Sequence, residues 1–151
     1  SEAQLVAYAA QLGSDCPFFI YDNACHATGR GEILTPIALD LSNYQFLLVH
    51  PGKHISTAWA FQQLTPNTKS ESIQSIIQKP MTEWKDLLIN DFEAPVFKAE
   101  PTLSIIKTQL YQLGAIYASM SGSGSSLFGI FPKHHFEHAP SIEYVLGVDL
   151  I

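Results

Sequence analysis

One stretch in the last third of the chain constrains the fold most, because it contains a helix followed by two strand candidates. Pro101 favours a helix start and Gly114 a helix stop, and apolar residues recur between them at helical spacing. Residues 115–120 and 126–131 are apolar, and a Gly/Ser-rich turn at 121–125 separates them. This order predicts an α+β fold, with helices on one face of an antiparallel sheet.

Periodicity and turn residues predict further elements elsewhere in the chain. The predicted helices are 1–12, 57–63, 72–78 and 82–90, and the predicted strands are 18–21, 25–28, 44–50 and 144–146. Gly13 is expected to end the first helix in the left-handed conformation. Thr57 and Thr82 are expected to cap their helices, since a hydroxyl oxygen accepts hydrogen bonds from helix N–H groups.

Two domains are predicted, residues 1–40 and 41–151, because Asn43 interrupts the pattern just before a strongly apolar strand. The chain opens without Met, on Ser-Glu-Ala-Gln, which is typical of a helix capping box. We therefore expect the chain to be a fragment of a longer protein.

Composition excludes several classes of function. Hydrophobic residues make up 46% of the chain and charged residues 15%, which is typical of a globular protein. The formal net charge of −6 leaves no overall basic surface for nucleic acid or an anionic membrane. Cys16 and Cys25 form neither a disulfide framework nor a metal-ligand cluster, so no metal site is expected. We expect a cytoplasmic protein without a signal peptide or a membrane span.

Asp15 is the first candidate for chemistry. It lies in the turn Ser14–Pro17, between the end of the first helix and the next apolar run. A carboxylate held on such a turn can accept a proton from a substrate hydroxyl during phosphoryl transfer. Alternatively, its side chain hydrogen-bonds to the backbone of its own turn.

The Gly/Ser-rich turn is the second candidate. Gly122 and Gly124 allow close approach of the backbone to a ligand, and successive N–H groups can bind an anion. The hydroxyls of Ser121, Ser123 and Ser125 add donors. No Lys follows the glycines, so this is not a Walker A motif. The alternative is a flexible hairpin turn without a ligand.

The segment from His50 to Phe61 is the third candidate. The end of a strand and the following short helix, which begins near Thr57, are good positions for ligand contacts. Phe61 could offer a ring face to a nucleobase. The alternatives are a core aromatic for Phe61 and a structural histidine for His50.

Taken together, these segments resemble the GHMP kinases. The stretch Leu-Gly-Ser-Asp-Cys-Pro-Phe-Phe around Asp15 is similar to the LGADVPFF segment that carries the family's catalytic Asp. Residues 27–36 resemble the loop that follows it, and residues 50–57 match the next segment. Met120–Phe128 looks like the third conserved family motif, so the resemblance covers about residues 9–131.

The resemblance implies a two-domain kinase. Residues 1–40 would be the tail of a ribosomal-protein-S5-like, ATP-binding N-terminal domain, and residues 41–151 most of a ferredoxin-like C-terminal domain. ATP and Mg²⁺ would be bound mainly by a part upstream of these residues. The implied substrate is a small molecule, a CDP-linked methylerythritol, phosphorylated on a hydroxyl during isoprenoid precursor biosynthesis.

The resemblance also implies roles for single residues. Asp15 would be catalytic, and Phe61 would stack on the cytosine with Thr57 and His50 nearby. Gly122–Ser125 would lie beside the phosphate and the hydroxyl-bearing part of the substrate.

The family's glycine-rich ATP loop and its N-terminal Lys are absent from these residues, so we expect this chain by itself to be inactive.

Two alternatives to the implied function remain open. The protein could be a GHMP kinase for mevalonate, homoserine or a sugar, or a non-catalytic ligand-binding module. Both a monomer and a homodimer are compatible with the sequence.

Overall fold

A computed structural model of the chain describes residues 1–21, 23–29, 31–65 and 71–136. The chain divides into two compact units, Ser1–Asp40 and Leu41–Ile151. None of the helices in the described ranges is long and apolar enough to cross a membrane.

The first unit contains two helices and a β-hairpin. Its elements are α1 (Glu2–Leu12), α2 (Phe18–Tyr21), β1 (Cys25–Thr28) and β2 (Ile33–Pro36). The two strands pair antiparallel, with Cys25 opposite Pro36 and Thr28 opposite Ile33. The predicted first helix and the predicted strand at 25–28 are confirmed. Gly13 is extended, with φ 172°, so the prediction of a left-handed stop is wrong.

The predicted strand at 18–21 is wrong, because these residues form the short helix α2. Pro17 has the backbone φ of a helix and suits the first helical turn. The Phe18 N–H donates to the Asp15 carbonyl (3.2 Å), and the Tyr21 N–H donates to the Pro17 carbonyl (3.4 Å). The turn preference of the preceding residues thus overrides the β-propensity of the aromatic run.

The second unit combines five helices with a sheet in the described residues. The helices are α3 (Thr57–Gln62), α4 (Ile73–Ile76), α5 (Met81–Leu87), α6 (Glu93–Ala99) and α7 (Pro101–Gln112). The strands are β3 (Tyr44–Val49), β4 (Tyr117–Met120) and β5 (Leu127–Pro132). The strand order is β3-β5-β4, and both pairings are antiparallel. The α+β class is confirmed, whereas the predicted strand at 144–146 lies outside the described residues.

The core of the second unit lies between α7 and one face of the sheet. Leu103, Ile106 and Leu110 are 0–2% exposed, and their spacing places them on one side of α7. Burial of each such side chain contributes about 1.5–3 kcal/mol. The core residues that complete this cluster include Leu47, Val49, Val96, Ala118, Met120, Leu127 and Phe131.

Tyr117 of β4 points away from this core, because side chains alternate along a strand. Its ring packs edge-on against Trp84 of α5, with centroids 5.8 Å apart, and lies 6.0 Å from Phe128. Its hydroxyl donates to the Leu88 carbonyl at 2.7 Å. Burial raises the pKa of the Tyr117 hydroxyl to about 12.

The outer edge of β4 is satisfied by side chains. The Tyr111 hydroxyl donates to the Ala118 carbonyl and accepts from the Ala118 N–H, both at 3.2 Å. The Met120 N–H donates to Glu93 Oε1 at 2.9 Å. These contacts remove the unpaired backbone groups that make an exposed strand edge prone to association.

Two predicted helix caps are wrong. Ser56, not Thr57, caps α3, and its hydroxyl accepts from the Trp59 N–H at 3.3 Å. Helix α5 begins at Met81 after Pro80, so Thr82 lies inside the first turn rather than at the cap. Because Ser56 supplies the cap, the Thr57 hydroxyl is available for a contact elsewhere.

Candidate substrate site

The serine–glycine turn (Ser121–Ser126) connects β4 to β5 at the end of the sheet. The Ser121 N–H donates to the Ser126 carbonyl (2.8 Å), and the Gly124 N–H donates to the Ser121 carbonyl (3.0 Å). Gly122 and Gly124 have φ of +54° and +92°, a region that L-residues rarely adopt. A Cβ on Gly124 would lie 2.7 Å from the Met120 sulfur, so a side chain here would force the buried Met120 side chain to shift.

Three side-chain contacts join this turn to the segment that follows β3. The hydroxyls of Thr57 and Ser123 are 3.1 Å apart, and His50 Nδ1 is 3.0 Å from the Ser126 hydroxyl. The Ser125 hydroxyl donates to the Lys53 carbonyl. The structure therefore brings together two candidates that the sequence nominated separately, the turn and the segment that contains His50 and Thr57.

Phe61 lies on α3, close to this group of polar contacts. Its side chain is 61% exposed, so it is not the core aromatic of the alternative interpretation. Its ring meets Phe92 edge-on, with centroids 5.0 Å apart and an interplanar angle of 82°. A largely exposed ring of this kind can offer a face to a nucleobase.

Asn90 is a residue of this region that the sequence analysis did not single out. Its Nδ2 donates to the carbonyls of Met120 and Gly122, each at 2.8 Å, and its Oδ1 accepts from the Phe92 N–H at 2.9 Å. The first carbonyl precedes the serine–glycine turn, and the second lies within it. Asn90 therefore anchors the start of the turn to the residues before α6.

Glu93 was also missed, although it is a charged residue with 6% exposure. Its carboxylate pairs with Lys107 Nζ at 2.6 Å and accepts from the Ser119 hydroxyl at 3.2 Å. It also accepts from the Met120 N–H. A carboxylate in the otherwise apolar run Phe92–Phe97 was the available signal, since a buried charge in a protein is normally paired.

Asp15 lies in the first unit, at a groove with a cavity volume of about 250 Å³. Its side chain is exposed, and its Oδ1 accepts from the Ser14 hydroxyl at 3.1 Å. The groove is lined by Asp15, Phe18, Phe19, Cys25, Gly31 and Leu34, among others. A Cβ on Gly31 would lie 3.5 Å from the Asp15 carboxylate, so Gly31 lies directly beside it.

No group of three or more His, Cys, Asp or Glu side chains in the described ranges is arranged to hold a metal ion. His134 and His135 are exposed. His135 Nε2 lies 2.7 Å from the Leu113 carbonyl. That contact gives His135 a structural role.

The comparison with protein families matches residues 72–142 to the family described as GHMP kinases C terminal. A 4-diphosphocytidyl-2-C-methyl-D-erythritol kinase of Bacteroides thetaiotaomicron is 50% identical over 131 residues, which are 87% of this chain and 48% of that protein. The chain belongs to the GHMP kinase family. The protein of the same description from Azobacteroides pseudotrichonymphae is 51% identical, over 86% of this chain and 49% of its own length.

A solved structure supports the same assignment of fold. The crystal structure of 4-(cytidine 5'-diphospho)-2C-methyl-D-erythritol kinase matches with a TM-score of 0.79 and 28% identity. The match covers 95% of this chain and 53% of that one. The chain thus spans about half the length of the GHMP kinases that it matches.

Proposed function

We propose that the intact protein transfers a phosphoryl group from ATP to a hydroxyl of 4-diphosphocytidyl-2-C-methyl-D-erythritol, in isoprenoid precursor biosynthesis. The observation that carries the proposal is the 50% identity, over 87% of this chain, to a kinase named for that substrate. The exposed Phe61 ring beside the Thr57–Ser123 contact is consistent with a cytidine nucleotide as part of the ligand.

Each part of the chain has a role in this proposal. Residues 1–40 belong to the ATP-binding domain, and residues 41–151 form most of the C-terminal domain. Phe61 stacks on the cytosine and thereby positions a distant hydroxyl for reaction. The N–H and hydroxyl donors of the serine–glycine turn that are not used in the contacts described above hold the phosphate and hydroxyl-bearing part of the substrate.

Asp15 orients the substrate hydroxyl and accepts its proton as the hydroxyl oxygen bonds to the γ-phosphorus of ATP, while the bond between that phosphorus and the bridging oxygen breaks and ADP leaves. Mg²⁺ would be held with ATP mainly by the N-terminal part of the intact protein, and would there neutralise charge on the transferring group. The exposed carboxylate and the open groove beside Gly31 fit this task. The protein acts in the cytoplasm as a monomer or homodimer, and this chain by itself is inactive.

The first experiment measures ATP turnover by the intact protein. CDP-methylerythritol is the test substrate, and mevalonate, homoserine and galactose are the controls. We expect turnover with the cytidine compound and none with the others. Turnover with a control compound instead would replace the substrate, and no turnover with any of the four would favour a ligand-binding module.

Asp15→Asn tests the proposed base. We expect kcat to fall by at least about 100-fold, because general base catalysis contributes that much, while nucleotide affinity changes little. Asp86→Asn, at an exposed position on α5, is the matched control and should retain activity. Near-wild-type turnover of Asp15→Asn would remove Asp15 from the mechanism.

Phe61→Leu tests the cytosine contact. Loss of base stacking is expected to weaken CDP binding by about 1–3 kcal/mol. Phe46→Leu is the matched control, since Phe46 is also an exposed phenylalanine (54%) but lies on β3. An unchanged CDP affinity for Phe61→Leu would place the base elsewhere.

A further inference from the structure

Asn90 contacts the serine–glycine turn and the backbone of Phe92, the residue whose ring packs against Phe61. Its amide nitrogen donates two hydrogen bonds of 2.8 Å, to the Met120 and Gly122 carbonyls. Its amide oxygen accepts from the Phe92 N–H at 2.9 Å. The amide orientation follows from the chemistry, because the nitrogen faces two carbonyls and the oxygen faces an N–H group.

Two residues whose backbone bonds to Asn90, Phe92 and Gly122, link it to the Phe61 ring and to the turn. Phe92, whose backbone Asn90 holds, supports the Phe61 ring edge-on at 5.0 Å. Gly122, whose carbonyl Asn90 also holds, has φ +54°, and a Cβ added there would meet no atom within 4 Å, so the space on that side of Gly122 is open. The Asn90 bond ties the carbonyl of Gly122 to the residues before α6.

The Met120 peptide is held from both directions. Its N–H donates to Glu93 and its carbonyl accepts from Asn90. Both side chains come from the short segment 90–93, which also contains Phe92. A single segment therefore sets the position of the turn and the support of the ring.

We propose that Asn90 is a positioning residue that holds the serine–glycine turn in register with the Phe61 ring. This inference rests on the proposed function for its ligand, since it places the cytosine of the substrate at Phe61 and its phosphate-bearing part at the turn. Asn90 itself acts through Phe92 and through the backbone of the turn. Its loss leaves each part present and changes their relative position.

The first test needs no ligand. Asn90→Asp keeps the size of the side chain and its acceptor for the Phe92 N–H, but replaces both N–H donors by an oxygen that faces two carbonyls. Hydrogen–deuterium exchange at the Ser121 and Gly124 amides, which bond within the turn, should become faster by roughly tenfold or more in the intact protein. Asn43→Asp, at an exposed asparagine before β3, is the matched control. Unchanged exchange in Asn90→Asp would overturn the proposal.

The second test is a double-mutant cycle for CDP binding with Phe61→Leu. We expect Asn90→Asp to weaken CDP binding by roughly tenfold in the wild-type background and by less than about twofold when Phe61 is already Leu. Additive effects would overturn the coupling. A role confined to folding would lower the folded fraction and leave the Kd for CDP unchanged, which would also overturn it.

The experiments also distinguish failure of the proposed function from failure of the proposal for Asn90. If the wild-type protein binds no CDP, the proposed function fails, and amide exchange still decides the role of Asn90 in the turn. If Asn90→Asp does not fold, Phe92→Leu replaces it in the double-mutant cycle with Phe61→Leu. Phe92→Leu removes the contact between the two rings and keeps the Asn90 hydrogen bonds. In that variant CDP binding should weaken only when Phe61 is present; an equal loss without Phe61 would refute the coupling.

Discussion

Replacing Glu93 by Ala removes the acceptor that ties α6 to the edge of the sheet. The Glu93 side chain is 8% exposed and that of Lys107 is 21% exposed, and their charged atoms are 2.6 Å apart. The same carboxylate accepts from the Met120 N–H at 2.9 Å. The substitution therefore leaves a partly buried cation and a buried N–H group without an acceptor.

The expected loss follows from these two groups. Breaking a buried ion pair by removing one partner costs about 3–5 kcal/mol, which includes the unsatisfied groups left behind. Lys107 keeps some access to water, so we expect the lower end, about 3 kcal/mol. Glu93→Gln keeps an acceptor for the Met120 N–H and loses only the charge, so we expect about half that loss.

Urea unfolding followed by tryptophan fluorescence measures this loss in the second unit, because both tryptophans, Trp59 and Trp84, lie there. Glu83→Gln, at an exposed position on α5, is the control and should change the free energy of unfolding by less than about 0.5 kcal/mol. A loss below about 1 kcal/mol for Glu93→Ala would refute the reasoning, since it would mean that the pair contributes no more than a surface contact.

Three further predictions concern the second unit. Burial raises the pKa of the Tyr117 hydroxyl from 10.0 to about 12. The stabilisation of the fold that the neutral hydroxyl provides is therefore fully present below pH 10 and is lost as the pH rises towards 12. The free energy of unfolding should fall by about 2–3 kcal/mol over that window, and Tyr117→Phe should flatten the fall; an equally steep fall in that variant would contradict the assignment. Gly124→Ala should destabilise the second unit by at least about 1 kcal/mol, and more than Gly122→Ala, because its Cβ would meet the Met120 sulfur at 2.7 Å. Leu110→Ala should cost about 2–5 kcal/mol in urea unfolding, since Leu110 is 0% exposed, and a loss under about 1 kcal/mol would place it outside the core.

The elements with strong local signals were predicted from the sequence. Helix α7 has Pro at its first position and a three-and-four spacing of Leu103, Ile106 and Leu110, and it was confirmed. The strand pair around the serine–glycine turn was predictable because glycine and serine mark a turn between two apolar runs, and it was also confirmed. Helix α2 was missed because its four residues carry β-propensity and the helix depends on the turn before it.

The residues of the candidate site also fall into two groups, those with a local signal in the sequence and those without one. The sequence nominated Asp15, Phe61 and the serine–glycine turn because each has a local motif or an aromatic ring close to one. It did not nominate Asn90 or Glu93, whose partners Met120 and Lys107 lie 30 and 14 residues away. Such contacts have no signature in the neighbouring sequence, because only packing brings the partners together.

By itself, the sequence determined the α+β class, the positions of the main helix and strands, and the family resemblance carried by three ordered segments. These follow from local properties: side-chain periodicity, the backbone preferences of Gly and Pro, and the order of short motifs. The tertiary structure decided which residues support the serine–glycine turn, why Thr57 is free to contact Ser123, and how Glu93 satisfies the edge of β4. Those contacts join residues distant in the chain, and hydrogen bonds between buried groups form only where the folded core brings them within about 3 Å of each other.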